Sequence, residues 1–471
     1  MNVHDQADGL VGHTPLVRVT GFDTGPCELW LKLESQNPGG SIKDRVGRAM
    51  VEDAERAGRL GGAQRHLVEA TAGNTGLGLA LVAAQRGYRL TLVVPDKMSH
   101  EKVLHLRALG ATVVTTRSDV GRGHPDYDQD LARALAAREG AFYVNQFENP
   151  ANPRAHEFGT GPEIVAQTGG RLDAMVCGVG SGGTLTGLSR CFRREMPGCE
   201  MVLADPEGSV LARYLRTGTV GAAGSWLVEG IGEDFIPPIC DLSAVREAFT
   251  ISDRESFETA RSLLLRTGVL AGSSTGTLLA AALRYCRAQR APRRVCTLVC
   301  DSGAKYLSKV YDDAWLSSQG LVERARAGDL RDLVGRRFVD GAVVAVGPGD
   351  TLGVAYVRMK QHAVSQLPVL EGRQVVGLVD ESDLLRAVVD DPAAFARPVR
   401  EVMSTRLVTV EVSSPAHALL PMLDEGLVPI VCEGDEFVGL VTRVDLLDGL
   451  RRDARRRDAP RHDADGAAVS S

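Results

Sequence analysis

From Leu31 to about Asp313, short apolar runs alternate with amphipathic stretches. The runs Leu90-Thr91-Leu92-Val93-Val94, Ala111-Thr112-Val113-Val114, Asp173-Ala174-Met175-Val176-Cys177, Met201-Val202-Leu203-Ala204 and Arg294-Val295-Cys296-Thr297-Leu298-Val299 have the length and composition of buried strands. Between them, Gly76 to Arg86 and His100 to Leu109 carry apolar residues at helical spacing. This order predicts βα units on parallel sheets.

The pattern changes after a charged stretch from Leu316 to Leu330 that holds Gly320 and Gly328. Beyond it, Val364 to Gly372 and Val376 to Leu385 recur as Leu427 to Val431 and Val438 to Leu447, with Gly377 answered by Gly439 about 60 residues later. That period exceeds the usual solenoid repeats and indicates two copies of one small module. The expected organisation is a catalytic domain over 1–318, a linker over 319–332, and two modules over 333–390 and 391–452. A disordered tail is expected over 453–471, where Arg and Asp alternate before small residues.

Composition narrows the function classes. With 471 residues, 44% hydrophobic and 24% charged, the chain suits an ordinary multidomain globular protein. A formal net charge of -6 without a basic face argues against nucleic acid as a partner. No apolar segment has transmembrane length and the start lacks the features of a signal peptide, so a cytoplasmic location is expected and no membrane association. Nine cysteines lie singly, at spacing that suits neither zinc nor a disulfide framework.

Four turns carry the candidate chemistry. Ser35 to Arg45 turns at Pro38-Gly39-Gly40 and opens a helix with Lys43 at the junction. A lysine there is ordinarily a solvated charge, but a glycine turn admits a ligand and a helix N-terminus depresses an ammonium pKa. Glu69-Ala70-Thr71-Ala72-Gly73-Asn74-Thr75-Gly76 offers free N–H groups to a carboxylate or phosphate, or is a plain turn capped by Thr71 or Asn74. Gly180-Ser181-Gly182-Gly183-Thr184 follows a strand and precedes a helix. It is neither a dinucleotide fingerprint, for want of an acidic ribose partner, nor a Walker loop, for want of its lysine. Gly272-Ser273-Ser274 opens another helix, and Asp301-Ser302-Gly303 follows the last strand. Four such turns and one lysine at the carboxyl ends of strands point to a phosphorylated cofactor.

In this order the segments resemble fold-type II pyridoxal-phosphate enzymes, in particular the cystathionine β-synthase and cysteine synthase group. The early Gly12-His13-Thr14-Pro15-Leu16 and the later Glu229-Gly230-Ile231-Gly232 with Asp234-Phe235-Ile236-Pro237 add to the likeness, which runs from about Val11 to Gly320. The resemblance implies an α/β fold of two parallel-sheet subdomains and pyridoxal 5'-phosphate as cofactor. Lys43 would carry the cofactor and move the substrate's Cα proton, and Asn74 would hydrogen-bond the ring hydroxyl. The turn Gly180, Ser181, Gly182, Gly183 and Thr184 would hold the phosphate. Ser274 would face the ring nitrogen and leave it largely unprotonated. Thr71, Ala72, Gly73, Asn74, Thr75 and Gln146 would clasp the substrate carboxylate.

The downstream repeat resembles a CBS-domain pair, an α+β adenosyl-ligand sensor. Gly439-Leu440-Val441-Thr442-Arg443-Val444-Asp445 fits its signature fully, whereas Asp380 stands where the first copy should have a hydroxyl. Thr442 and Asp445 would then hold a regulatory ligand, with S-adenosylmethionine the favoured one; Asp445 as a plain helix cap is the bland alternative. Departures from the family matter too. No Cys/His segment precedes the catalytic domain, so haem is not implied, and no metal. Ala72 replaces a common serine, and Glu233 replaces a tyrosine, facing either a substrate amino group or solvent. The expected reaction joins L-serine or O-acetylserine to L-homocysteine, giving cystathionine. The rivals are cysteine synthesis from O-acetylserine and sulfide, and a non-catalytic ligand-sensing protein. A homodimer or higher even-numbered oligomer is expected.

Overall fold

The computed structural model describes residues 6–71, 73–322, 327–389 and 391–458, the final seven by backbone alone. The chain divides into two compact units, Met1–Asp312 and Asp313–Ser471.

The described residues of the first unit form β1 (Leu16–Arg18), β2 (Glu28–Lys32), β3 (His66–Ala70), β4 (Arg89–Pro95), β5 (Thr112–Thr116), β6 (Phe142–Tyr143), β7 (Ala174–Cys177), β8 (Glu200–Pro206), β9 (Val245–Ile251) and β10 (Arg294–Leu298). The larger sheet has the order β1-β2-β10-β7-β8-β9 and is parallel except for β1. The smaller, β5-β4-β3-β6, is parallel throughout and is inserted between β2 and β7. Every residue of β3 and β7 is buried, as expected of parallel strands covered on both faces by helices. All five apolar runs named above fall on strands. The alternation did not reveal β9, which carries Arg246 and Glu247 on a half-exposed sheet edge.

The opening glycine-threonine segment is held by a buried ion cluster. Arg45 reaches Glu34 and Glu163, both at 2.7 Å, while Lys32 reaches Glu163 at 2.7 Å and the Thr14 carbonyl at 2.7 Å. The Thr14 hydroxyl donates to Glu34 at 2.6 Å and the His13 N–H to Glu163 at 2.9 Å. Burial works against the ionised Glu163, but Arg45 and Lys32 hold its pKa down to about 2. The cluster thereby ties residues 12–14 to β2 and to the helix that starts at Lys43.

The second unit contains the two copies. In the first, β11 (Gln366–Glu371) pairs antiparallel with β12 (Gln374–Asp380), and Val346 bridges Val369 in parallel. In the second, β13 (Thr409–Glu411) runs parallel to β14 (Ile430–Glu433), which pairs antiparallel with β15 (Glu436–Leu440). Helices Glu381–Val388 and Arg443–Asp458 follow β12 and β15. The leading segments are exchanged. Leu330 and Val334, just before and at the head of the first copy, lie in the core of the second with Val410, Val412 and Val431. Val399, at the head of the second copy, lies in the core of the first with Leu352, Leu367 and Val379. Residues 459–471, most of the expected tail, lie outside the described residues, as do 323–326 of the expected linker.

Candidate active site

The turns after β2, β3 and β10 meet. Ser41 forms a bridge with Asp301, Ile42 N–H donates to the Cys300 carbonyl at 2.8 Å, and Ser302 N–H to the Gly40 carbonyl at 3.1 Å. The helix Lys43–Arg56 crosses the helix Asn74–Arg86 through glycines. A Cβ on Gly47 would stand 2.5 Å from the Gly78 carbonyl carbon, and one on Gly78 2.5 Å from the Lys43 carbonyl oxygen. That approach sets Lys43 beside the turn at Thr71 to Thr75. The Lys43 side chain is half-buried, and its amine has no hydrogen-bond partner among the described residues. Burial lowers its pKa, opposed by Cys300 and Glu233.

In the second turn the Thr71 hydroxyl accepts from the N–H groups of Gly73 and Gly76, so the capping read from the sequence belongs to Thr71. Gly73 has φ 112°, and a Cβ there would stand 2.8 Å from Lys102 Cδ. The N–H groups of Asn74 and Thr75 donate to no acceptor among the described residues. The Thr75 hydroxyl donates to Gln146 Oε1 at 2.6 Å, and Gln146 Nε2 donates to the Ala70 carbonyl at 3.0 Å. Gln146 therefore stands under the turn. Ala72 lies outside the described residues. Glu69, at the end of β3, accepts from Gln146 N–H at 3.2 Å, and burial pushes its carboxyl up to about 8.

The third turn presents a run of donors. Among the described residues, none of the N–H groups from Gly180 to Thr184 has a protein acceptor, and the helix Gly183–Glu195 starts within the run. Bulk is excluded behind it: a Cβ on Gly180 would lie 2.6 Å from the Gly230 carbonyl, on Gly182 2.4 Å from Cys240, and on Gly183 2.0 Å from Asn152 Oδ1. Asn152 Nδ2 donates to the Ser181 hydroxyl at 2.8 Å and to the Gln146 carbonyl at 2.9 Å, linking this turn to the second. His156 lies behind Thr184, ring to hydroxyl 3.2 Å.

Ser274 is buried at the start of the helix Ser273–Ala288, and its hydroxyl interacts with the Cys300 thiol, which burial pushes up to about 12. Glu233 is half-buried. Its carboxyl lies beside the phosphate-type turn, where a Cβ on Gly180 would be 3.9 Å from Oε1. Burial raises its pKa well above the usual range, aided by Asp234 and Asp128. In the second unit the Thr442 hydroxyl and N–H both donate to Asp445 Oδ2, at 2.6 and 2.8 Å, a helix-capping arrangement. Asp380 and Asp383 form the corresponding capping box in the first copy.

The sequence did not single out a buried relay behind these turns. Lys305 donates to Asn74 Oδ1 at 3.0 Å, and Asn74 Nδ2 donates to Asp301 Oδ2 at 2.6 Å. Tyr306 donates to the same Asp301 oxygen at 2.6 Å and accepts from Lys102 at 2.8 Å. Lys102 also reaches Glu229 at 2.7 Å, which Lys309 joins at 2.8 Å.

Residues 7–301 match the family described as pyridoxal-phosphate dependent enzyme, and residues 334–390 and 399–452 each match the CBS domain. The chain is similar to the cystathionine beta-synthase of Dictyostelium discoideum, 33% identical over 95% of this chain and 92% of that protein. It is also similar to that of Saccharomyces cerevisiae, 36% identical over 80% of each. Among solved structures it is similar to the O-acetylserine dependent cystathionine beta-synthase from Helicobacter pylori, 35% identical with a TM-score of 0.61, over 66% of this chain and 99% of that one. An O-ureido-L-serine synthase matches at 33% identity and TM-score 0.61, over 67% of this chain and 100% of that one. With its catalytic unit matched across both sheets and its repeat matched as two CBS domains, the chain belongs to the cystathionine β-synthase family of pyridoxal-phosphate-dependent enzymes.

Proposed function

We propose that this enzyme performs a β-replacement on L-serine or O-acetylserine with L-homocysteine as the incoming thiol, forming cystathionine in transsulfuration. The observation that carries the reading is Lys43: an amine with a lowered pKa and no hydrogen-bond partner among the described residues, at the meeting of three strand-end turns, in a unit that also holds a run of N–H groups without acceptors among those residues. The residues fit pyridoxal phosphate. A dianion suits the donors from Gly180 to Thr184, and a helix N-terminus adds to their pull. An aldehyde suits the Lys43 amine, which condenses only when unprotonated. Asn74 and Ser274 are the polar groups for the ring's oxygen and nitrogen. When bound, the cofactor withdraws electrons from the substrate's Cα and so makes its proton acidic.

The remaining work falls to the chain. The N–H groups of Asn74 and Thr75, with the turn from Thr71, suit the substrate carboxylate, and Gln146 fixes Thr75 beneath them. Lys43, as a free amine, takes the Cα proton and passes one to the leaving oxygen. Glu233 suits the amino group of the second substrate: burial, Asp234 and Asp128 work against its charge, and an ammonium beside it would favour that charge. This favours homocysteine over sulfide, which has no amino group. Cysteine synthesis from sulfide remains the second reading, supported by the enzyme fold it would share.

Thr442 and Asp445 are the proposed contacts for an adenosyl effector such as S-adenosylmethionine. Assembly as a homodimer or higher even-numbered oligomer is supported by apolar side chains exposed at matching positions, Leu385 and Leu447, on the last helices of the two copies. Among the described residues no helix is long and apolar enough to cross a membrane, and a cytoplasmic location is proposed. The deciding experiment crosses serine and O-acetylserine with homocysteine, cysteine and sulfide in steady-state assays. The highest kcat/KM is expected with homocysteine; a preference for sulfide overturns that choice of thiol, and absence of turnover with every pair overturns the reaction.

A further inference from the structure

Asn74 is gripped at both ends of its amide. Nδ2 donates to Asp301 Oδ2 at 2.6 Å and Oδ1 accepts from Lys305 Nζ at 3.0 Å. The two charges dictate the amide's orientation, since a flip would turn its carbonyl to a carboxylate and its NH2 to an ammonium. Lys305 is 6% exposed, and its other hydrogen bonds go to the carbonyls of Gly39 at 2.9 Å and Gly40 at 3.1 Å. All three ammonium donors are thus in use, and two of them end on the turn that leads into Lys43. Asp301 is fully buried. Its Oδ2 takes Tyr306 as well as Asn74, while Oδ1 faces Gly272, where a Cβ would stand 2.0 Å away.

Among the described residues this geometry leaves Asn74 one side-chain donor, the second Nδ2 hydrogen. The direction of that hydrogen is set by Asp301 and Lys305, and its distance from Lys43 by the Lys305 bonds to Gly39 and Gly40. Neither residue is placed to meet substrate atoms in the reading above; both act through Asn74.

We propose that Lys305 and Asp301 are a positioning pair for the cofactor ring, fixing the free amide hydrogen of Asn74 against the ring oxygen and locking its distance from Lys43. The proposal rests on the reading of Asn74 as a cofactor contact. It distinguishes the pair from an ordinary buried ion cluster, whose loss would lower stability without changing the electronic environment of the ring.

The test uses the full-length holoenzyme and four variants: Asn74→Ala, Lys305→Met, Lys305→Arg and Asp301→Asn. Three quantities are read: the near-ultraviolet and visible absorption bands of bound pyridoxal phosphate, its dissociation constant, and the melting temperature. Lys305→Met is expected to shift the bands in the same direction as Asn74→Ala and to weaken cofactor binding by about ten- to a hundredfold, the scale of a hydrogen bond to a charged group. Lys305→Arg, which keeps the charge, is expected to restore most of the wild-type spectrum. Asp301→Asn keeps shape without charge and is expected to shift the bands likewise, so it serves if Lys305→Met does not fold. Bands shifted in Asn74→Ala but unchanged in Lys305→Met, or in Asp301→Asn where that replaces it, overturn the positioning pair and leave the Asn74 reading standing. Wild-type bands and affinity in Asn74→Ala overturn that reading, and the pair with it.

Discussion

Gly78 rests on the backbone carbonyl of Lys43, close enough that a methyl group on Gly78 would stand 2.5 Å from that oxygen. The contact joins the helix that begins with the lysine to the helix that follows the asparagine turn, and it sets their separation. Two effects oppose each other in Gly78→Ala. Helix propensity favours alanine by about 0.5–1 kcal/mol, whereas overpacking a tight site costs about 1–3 kcal/mol. The clash is with backbone, which yields little, so the second effect wins. We expect a lower melting temperature together with a weakened visible cofactor band; a more stable, fully loaded variant would show that the helices separate freely.

Glu69 gives a pH test. Its folded pKa of about 8 lies above the ordinary glutamate value of 4.5 because the carboxyl is buried. A raised pKa contributes stability that is complete below the unfolded value and is lost as pH rises through the folded one. Stability should therefore fall between about pH 4.5 and 8 on account of this group. Glu69→Gln mimics the neutral acid, so its melting temperature should match wild type near pH 4.5 and exceed it by about 2 °C or more at pH 8. Parallel melting curves across that range would refute the buried-acid assignment.

Gly182 tests the anion turn. It has φ 87°, and a Cβ would stand 2.4 Å from that of Cys240. Gly182→Leu should distort the run of N–H donors and yield protein isolated without cofactor. Gly198→Ala, where nothing lies within 4 Å, should load normally. Full occupancy in Gly182→Leu would remove this turn from the cofactor site.

Asp445 closes a capping box, its carboxylate accepting the Thr442 N–H while the Thr442 hydroxyl accepts the Asp445 N–H, so Asp445→Ala would lose that bond whatever the ligand. Asp445→Asn keeps a capping oxygen and removes the charge that suits a ribose diol. We expect this variant to melt as wild type does without ligand and to lose S-adenosylmethionine binding in calorimetry. Unchanged binding would exclude Asp445 as a ligand contact.

What was legible in the sequence is what is local in the chain. The glycine, serine and threonine turns declare themselves within a few residues, and the strands before them by unbroken apolar runs. The relay behind them joins Asn74 to Asp301 and Lys305 across 227 and 231 positions, and Lys102 to Tyr306 across 204. No spacing rule reaches that far, and a lone lysine or aspartate carries no periodic signal. Glu233 was readable as unusual, but its half-buried place beside Gly180 follows from how residues 229–233 pack against the turn after β7. The repeat of the second unit was readable as two copies, whereas the crossing of their leading segments was not, because a repeat records similarity and is silent about contacts.

That crossing has a mechanical consequence. Leu330 hydrogen-bonds through its N–H to the Val412 carbonyl at 3.0 Å, and Ser404 pairs with Leu378, so each copy borrows part of its interior from the chain that introduces the other. Cutting the chain between the copies strips both of a buried plug rather than releasing two intact pieces. The pair is therefore expected to unfold as one, and an effector seated on a single copy bears on the interior of both.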